Sequence, residues 1–219
     1  MDGARLASRI GLGFAKMAEA AGEWADFFRP QNGDEVFAAG NRLARRKALI
    51  LPPQGWRMPP QFGEAAFLGY FGREGLGVGD LLRTAAEAFF IGALPPLAPA
   101  LLIRANGRFT LARPRGGAGF GASAYGGVVR PELAVLARDW PAHLALGAPL
   151  PSPRASEIPM EGRLAAYTLL WPRHAEIVPQ PSDLVFAASE AGSRVRQFAV
   201  AGVAVEAEGV RLGLREVMG

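Results

Sequence analysis

Glycine and proline constrain this chain more than any other feature. They supply 28 and 18 of its 219 residues and cut the sequence into short runs bounded by turn formers. A chain so punctuated cannot sustain many helices, and the pattern predicts a mainly β fold built from many short strands. Half of the residues are apolar, enough to bury a genuine core. From residue 66 onward, short apolar or alternating runs read as strands: Ala66–Phe71, Ala88–Leu94, Leu97–Arg104, Arg108–Arg113, Leu133–Trp140, Leu164–Trp171, Asp183–Ala187, Arg196–Val205 and Val210–Glu216. The last two, joined across Glu206–Gly209, read as a terminal hairpin. The expected architecture is mainly β with an N-terminal amphipathic helix and two small lobes of barrel or sandwich type. Residues 1–60 are read as a helical arm and extended linker, 61–150 as the first β lobe and 151–219 as the second.

The one strong helical period lies at residues 4–28. Leu6, Ile10, Phe14, Met17, Ala21, Trp24 and Phe28 recur on one stripe, as a 3.6-residue repeat requires. Arg5, Arg9 and Lys16 come early and Glu19, Glu23 and Asp26 late, the reverse of what the helix dipole favours. Packing of the apolar stripe must therefore hold this helix, on its own domain or on a neighbouring subunit. Arg29-Pro30 ends it, because the residue before proline is pushed out of the α region. A linker follows, with a short helix expected at Asn41–Leu51. Within it Arg42, Arg45, Arg46 and Lys47 form a weak basic cluster without interleaved aromatics, closer to a solvated face than to a nucleic-acid site. Pro52-Pro53 and Pro59-Pro60 bracket Trp56 in a stiff extended segment.

Three local signals bear on topology. Asn106-Gly107 between two strand-like runs predicts a two-residue hairpin. The glycine-rich stretch 116–127 contains Gly117-x-Gly119-x-x-Ala122, but Arg113-Pro114-Arg115 precedes it and Gly126-Gly127 follows. The strand-to-helix context of a dinucleotide site is therefore missing, and the stretch reads as a surface loop. Finally, Gly79-Asp80-Leu81-Leu82, Glu87 and Phe89-Phe90-Ile91-Gly92 recur loosely as Ser182-Asp183-Leu184-Val185, Glu190 and Phe198-Ala199-Val200. In both, an Asp-led turn feeds a short apolar strand and an aromatic-led strand returns. The aspartates suit turn chemistry, in which a carboxylate bonds backbone amides two residues on, better than an acid–base pair with the glutamates.

The chain has no cysteine, which removes disulfides, thiolate metal sites and cysteine nucleophiles together. His143 and His174 lack the short spacings of metal ligands, and Gly121-Ala122-Ser123-Ala124-Tyr125 lacks the second glycine of a nucleophile elbow. No catalytic, cofactor-binding or metal residue is assigned, and the chain is read as a non-enzyme without a cofactor. No run is long and apolar enough for a membrane span, and a signal peptide is not supported.

Several motifs in order carry a family resemblance. They are Phe28-Arg29-Pro30, Asn41-Arg42-Leu43, Phe62-Gly63 with Tyr70-Phe71, and Val78-Gly79-Asp80-Leu81-Leu82. Phe89-Phe90-Ile91-Gly92-Ala93-Leu94-Pro95-Pro96-Leu97 follows, then Leu102-Ile103-Arg104-Ala105-Asn106-Gly107-Arg108, Arg113-Pro114, Tyr125-Gly126-Gly127 and Asp139-Trp140-Pro141-Ala142. This succession resembles a family of uncharacterised proteins encoded among the particle genes of tailed phages and prophages of proteobacteria. The closing Asp183-Leu184, Arg196-Gln197-Phe198 and Leu212-Gly213-Leu214 resemble small β-barrels of head–tail closure and tail proteins, with Ser182 in place of the usual glycine before Asp183. The resemblance implies a structural virion component of the tail or head–tail junction, assembled in the bacterial host cytoplasm. Its partners would be other virion proteins and copies of itself in a ring, met through Leu6, Ile10, Phe14, Met17, Trp24, Phe28, Trp56, Phe120 and Tyr125. The alternative is a small-molecule or glycan-binding β-domain with weak hydrolase activity, gathering Trp140, Trp171 and His174 in one pocket.

Overall fold

A computed structural model describes residues 3–53, 64–115, 132–146, 167–188 and 195–217. One helix, α1 (Gly3–Ala21), precedes β1 (Glu23–Phe28), β2 (Arg42–Leu51), β3 (Ala66–Tyr70), β4 (Leu81–Arg83), β5 (Ala88–Ala93) and β6 (Ala100–Arg104). Then come β7 (Gly107–Arg115), β8 (Glu132–Leu146), β9 (Tyr167–Trp171), β10 (Leu184–Ala187), β11 (Gln197–Glu206) and β12 (Gly209–Val217). The strands close into two six-stranded antiparallel barrels, ordered β1-β2-β3-β6-β5-β4 and β7-β8-β9-β12-β11-β10. Closure leaves neither barrel with a free sheet edge. The expected mainly β fold with an N-terminal helix and two β lobes is what the chain adopts.

The second barrel repeats the first, register by register. Phe27 lies opposite Ala44 and Leu82, as Leu111 lies opposite Ala137 and Val185. Phe89 pairs with Leu82 and Arg104, as Phe198 pairs with Val185 and Glu216. Register shifts fall at matching places, after Phe27 and Leu111 and after Ile91 and Val200. The aromatic packing repeats too, with Phe67 edge-on to Phe89 at 5.6 Å and Tyr167 edge-on to Phe198 at 5.3 Å.

A buried aspartate latches each barrel. Arg29 Nε and Nη2 donate to Asp80 Oδ1 and Oδ2 at 2.8 and 2.7 Å, and Arg113 Nε and Nη2 donate to Asp183 Oδ1 and Oδ2 at 2.8 and 3.0 Å. Each carboxylate also accepts the amide three residues earlier, from Gly77 and from Gln180, both at 2.7 Å. Each guanidinium reaches a carbonyl five residues before the aspartate, Gly75 O and Val178 O. The residue before the aspartate has positive φ in both cases, +91° at Gly79 and +75° at Ser182. The expected turn chemistry is present, although the bonded amides precede the aspartate rather than follow it. Charge-assisted forks of this kind are the strong form of the hydrogen bond, and the bond to the aspartate raises the pKa of each arginine.

Four expectations change. The helix ends at Ala21 and not near Phe28, because the apolar spacing at Trp24 and Phe28 belongs to β1, where Phe27 and Phe28 are both buried. Gly22 makes the change of direction: a Cβ there would stand 2.6 Å from Ala18 O and 2.7 Å from Ala48 C. Asn41–Leu51 is not a helix but β2, whose pairing with β1 and β3 overrides its modest local preference. The first barrel therefore begins at Glu23, inside the stretch read as arm and linker, and the second begins at Gly107. Lastly, Asn106-Gly107 makes no hairpin. β6 pairs with β3 and β5, and β7 with β8 and β10, so the dipeptide joins one barrel to the other. The Asn106 side chain donates to Leu144 O and accepts from Leu144 N, both at 2.8 Å, as a further residue on the edge of β8 would.

One apolar cluster fills the first barrel around Phe27, Phe71, Leu82, Phe89 and Leu102. A larger one runs from the facing side of that barrel, through Phe28, Leu81, Phe90 and Ile103, into the second barrel at Leu111, Trp140, Trp171, Phe198 and Leu214. Polar bonds cross the same seam: Trp140 Nε1 to Gly33 O at 2.9 Å, Arg138 N to Gly33 O at 2.7 Å, and His143 Nδ1 with Arg104 O at 2.9 Å. Gly79 lies against it so closely that a Cβ would stand 2.1 Å from Arg173 O. β8 faces β5 and β6 across the seam, while α1 packs on β2 and β3. Since β2 is the counterpart of β8, α1 covers on the first barrel a face that corresponds to the one the first barrel covers on the second.

Candidate protein-contact surface

α1 is rich in alanine (Ala4, Ala7, Ala15, Ala18, Ala20 and Ala21), the residue with the highest helix propensity. Its inner side rests on the first barrel through few groups. Ala18 is buried, Phe14 meets Tyr70 edge-on at 5.3 Å, and Arg73 lies 5.0 Å over the Phe14 ring. Lys47 Nζ donates to Glu19 O at 2.9 Å. Arg73 donates to Pro95 O and Ala98 O, and burial pulls its pKa below the usual guanidinium value. Elsewhere on the helix Leu6, Leu12 and Met17 are 38%, 60% and 43% exposed, among the exposed Arg5, Arg9, Lys16 and Glu19. Trp24, at the start of β1, is 56% exposed, with Arg45 stacked 5.6 Å over it.

Between α1 and the barrel runs a groove of about 500 Å³, lined on the helix by Ala7, Ser8, Gly11, Leu12 and Ala15 and walled by Leu76 and Leu94. A Cβ added at Gly11 would meet nothing within 4 Å. The helix thus offers small residues and one exposed leucine to open space, an arrangement in which a second helix can approach closely.

The nine residues expected at an interface do not share one fate. Leu6, Met17 and Trp24 are at the surface, Ile10 and Phe14 are half-buried, and Phe28 is in the core at 2% exposure. Phe28 is therefore corrected from contact residue to core residue, because β1 turns it into the apolar cluster between the barrels. Trp56, Phe120 and Tyr125 lie outside the described residues, as do the glycine-rich stretch and Glu190. Leu12 and the groove were missed because Leu12 stands off the apolar stripe. Only its isolation among small and polar neighbours marks it in the sequence.

The basic cluster is likewise dispersed. On a strand Arg42 and Arg46 alternate with Arg45 and Lys47. Arg42 pairs with Asp26 at 3.6 Å, and Arg46 donates to Gly72 O at 2.7 Å while lying over Phe27. With Arg45 on Trp24 and Lys47 on the end of α1, the four form no single patch.

Trp140, Trp171 and His174 do come together. The indoles stack at 5.6 Å with 5° between their planes, and His174 stands edge-on to Trp140 at 5.4 Å, its Nε2 3.1 Å from Pro30 O. The two tryptophans are 1% and 0% exposed, so their faces are turned to each other and to the core. Among the described residues, no three His, Asp or Glu side chains are placed to share a metal ion, and no helix is long and apolar enough to cross a membrane. No family model, curated protein or solved structure matches this chain.

Proposed function

We propose that this chain is a structural subunit of a tailed-phage or phage-like particle, in the tail or at the head–tail junction, acting through protein–protein contacts. One observation carries the reading: apolar side chains that a lone subunit would cover are displayed on α1 and Trp24, beside an open groove. Exposed apolar side chains of this size mark interaction sites when they gather, and tryptophan with arginine, which this surface combines at Trp24–Arg45, is enriched in interfaces. The order of motifs that resembles particle proteins of tailed phages supports the same reading. The barrels are packed with side chains, which leaves the outer surface as the working part. A sugar or small ligand seeking Trp140 and Trp171 would meet no open ring face.

The test is location. Mass spectrometry of purified particles from a host carrying this gene should recover the chain at constant stoichiometry. Removal of residues 1–21 should abolish its incorporation while the barrels stay folded by circular dichroism. Particles of normal composition without the chain would refute the proposal.

A further inference from the structure

The charges of α1 are placed against its own dipole. Arg5 and Arg9 stand near the N-terminal end, Glu19 near the C-terminal end, and there is no acidic residue in the first turn and no basic residue in the last. The helix's own side chains therefore do not stabilise its ends, and at the C-terminal end the positive charge comes from β2, where Lys47 Nζ donates to Glu19 O at 2.9 Å. Arg5, Glu19 and Leu12 are exposed, and among the described residues neither the Arg5 guanidinium nor the Glu19 carboxylate has a hydrogen-bond or ion-pair partner.

Arg5, Ser8, Leu12, Ala15 and Glu19 follow one another at the alternating three- and four-residue spacing of a helix–helix seam. The middle three line the groove. A seam with a leucine at its centre, small residues on both sides and opposite charges at its ends is complementary to itself when reversed. Laid antiparallel on a copy and centred on Leu12, it brings Arg5 of each helix to Glu19 of the other. Unlike charges then meet at both ends of the seam, and the two dipoles run in opposition. A parallel pairing would set like charges side by side.

From this complementarity we infer that α1 docks on α1 of a second copy of this chain, antiparallel and two-fold symmetric about Leu12, with Leu76 and Leu94 closing the groove over the pair. The inference rests on the reading of α1 as a contact element and names its partner. A two-fold contact is the commonest route to a soluble homodimer, and it gives the particle subunit a paired building block.

Sedimentation equilibrium of the full-length chain tests it with three variants, R5E, E19R and R5E/E19R. Each single change puts like charges at both ends of the seam and should weaken dimerisation about ten-fold or more, since two ion pairs are lost and replaced by repulsion. The double change restores both pairs with reversed polarity and should return to within about three-fold of the unaltered chain. Circular dichroism confirms that each variant is folded, and L12D, at the centre, should be monomeric. The inference is overturned if the unaltered chain is monomeric or binds only other particle proteins through α1, if the single changes have no effect, or if the double change is no tighter than the singles. Particle incorporation is scored separately: a monomer found in particles defeats the self-pairing alone, and a self-pairing chain absent from particles defeats the particle role alone.

Discussion

Asp80 and Asp183 are 3% and 2% exposed, yet each carboxylate accepts two bonds from one guanidinium and one from a backbone amide, so neither is an uncompensated buried charge. Replacing either by asparagine removes the charge and one arm of the fork. We expect D80N and D183N each to lower stability by about 2–3 kcal/mol, by similar amounts because the two environments match, as measured by guanidinium unfolding. His143 sets a pH dependence. Burial is the main cause that pulls its pKa below the ordinary 6.5, against a smaller upward effect of the bond with Arg104 O. The unfolded chain therefore takes up a proton at a higher pH than the folded one, and stability should be intact above about pH 6.5 and fall as the pH drops toward the lowered value. H143N should remove that part of the slope; an unchanged slope would mean that other groups produce it.

The strand pair β5–β6 and its counterpart β11–β12 carry the same ion pair with its charges exchanged. Glu87 faces Arg104, Nη1 to Oε1 at 3.3 Å, and Arg196 faces Glu216, Nε to Oε1 at 2.8 Å. Arg104 lies over Phe67 at 5.2 Å, and Arg196 over Tyr167 at 5.1 Å and Phe198 at 5.0 Å. The pairing site therefore accepts either polarity, provided that an arginine reaches the aromatic cluster beneath. We expect E87R to cost less than about 1 kcal/mol, as exposed pairs do, and E87R/R104E to restore the original stability within about 0.5 kcal/mol. A double variant less stable than either single would show that the polarity matters. The helix is a different kind of element. It contributes one fully buried residue, so the barrels do not depend on it for their core.

The molecule as a whole is held by the seam between barrels, and its larger apolar cluster belongs to both. Neither barrel can open without exposing Phe28, Phe90, Trp140 and Trp171. Calorimetry should therefore show one transition with matching calorimetric and van't Hoff enthalpies, and the near-ultraviolet signal of the stacked tryptophans should vanish within it. Two resolved transitions would show barrels that fold independently. G79A should lower the transition markedly, since it combines a positive φ with a close approach to Arg173 O.

Periodicity and punctuation made the β class, most strand positions, the terminal hairpin and the Asp-led repeat readable from residues alone, because these depend on neighbours in the chain. The repeat was visible only where both barrels keep the same chemistry. By sequence Glu190 is the match for Glu87, whereas pairing across the strands makes Arg196 its counterpart. Likewise the stripe at residues 4–28 reads as continuous because a helix and a strand can share apolar spacings over one turn; Phe28 is buried only because its face of β1 packs into the seam between the barrels. Asn106-Gly107 has the composition of a hairpin turn but joins two barrels, since each flanking strand finds its hydrogen bonds elsewhere. Long-range pairing decides such cases: a short segment states its local preference, and the closure of a barrel, which satisfies every edge at once, outweighs it.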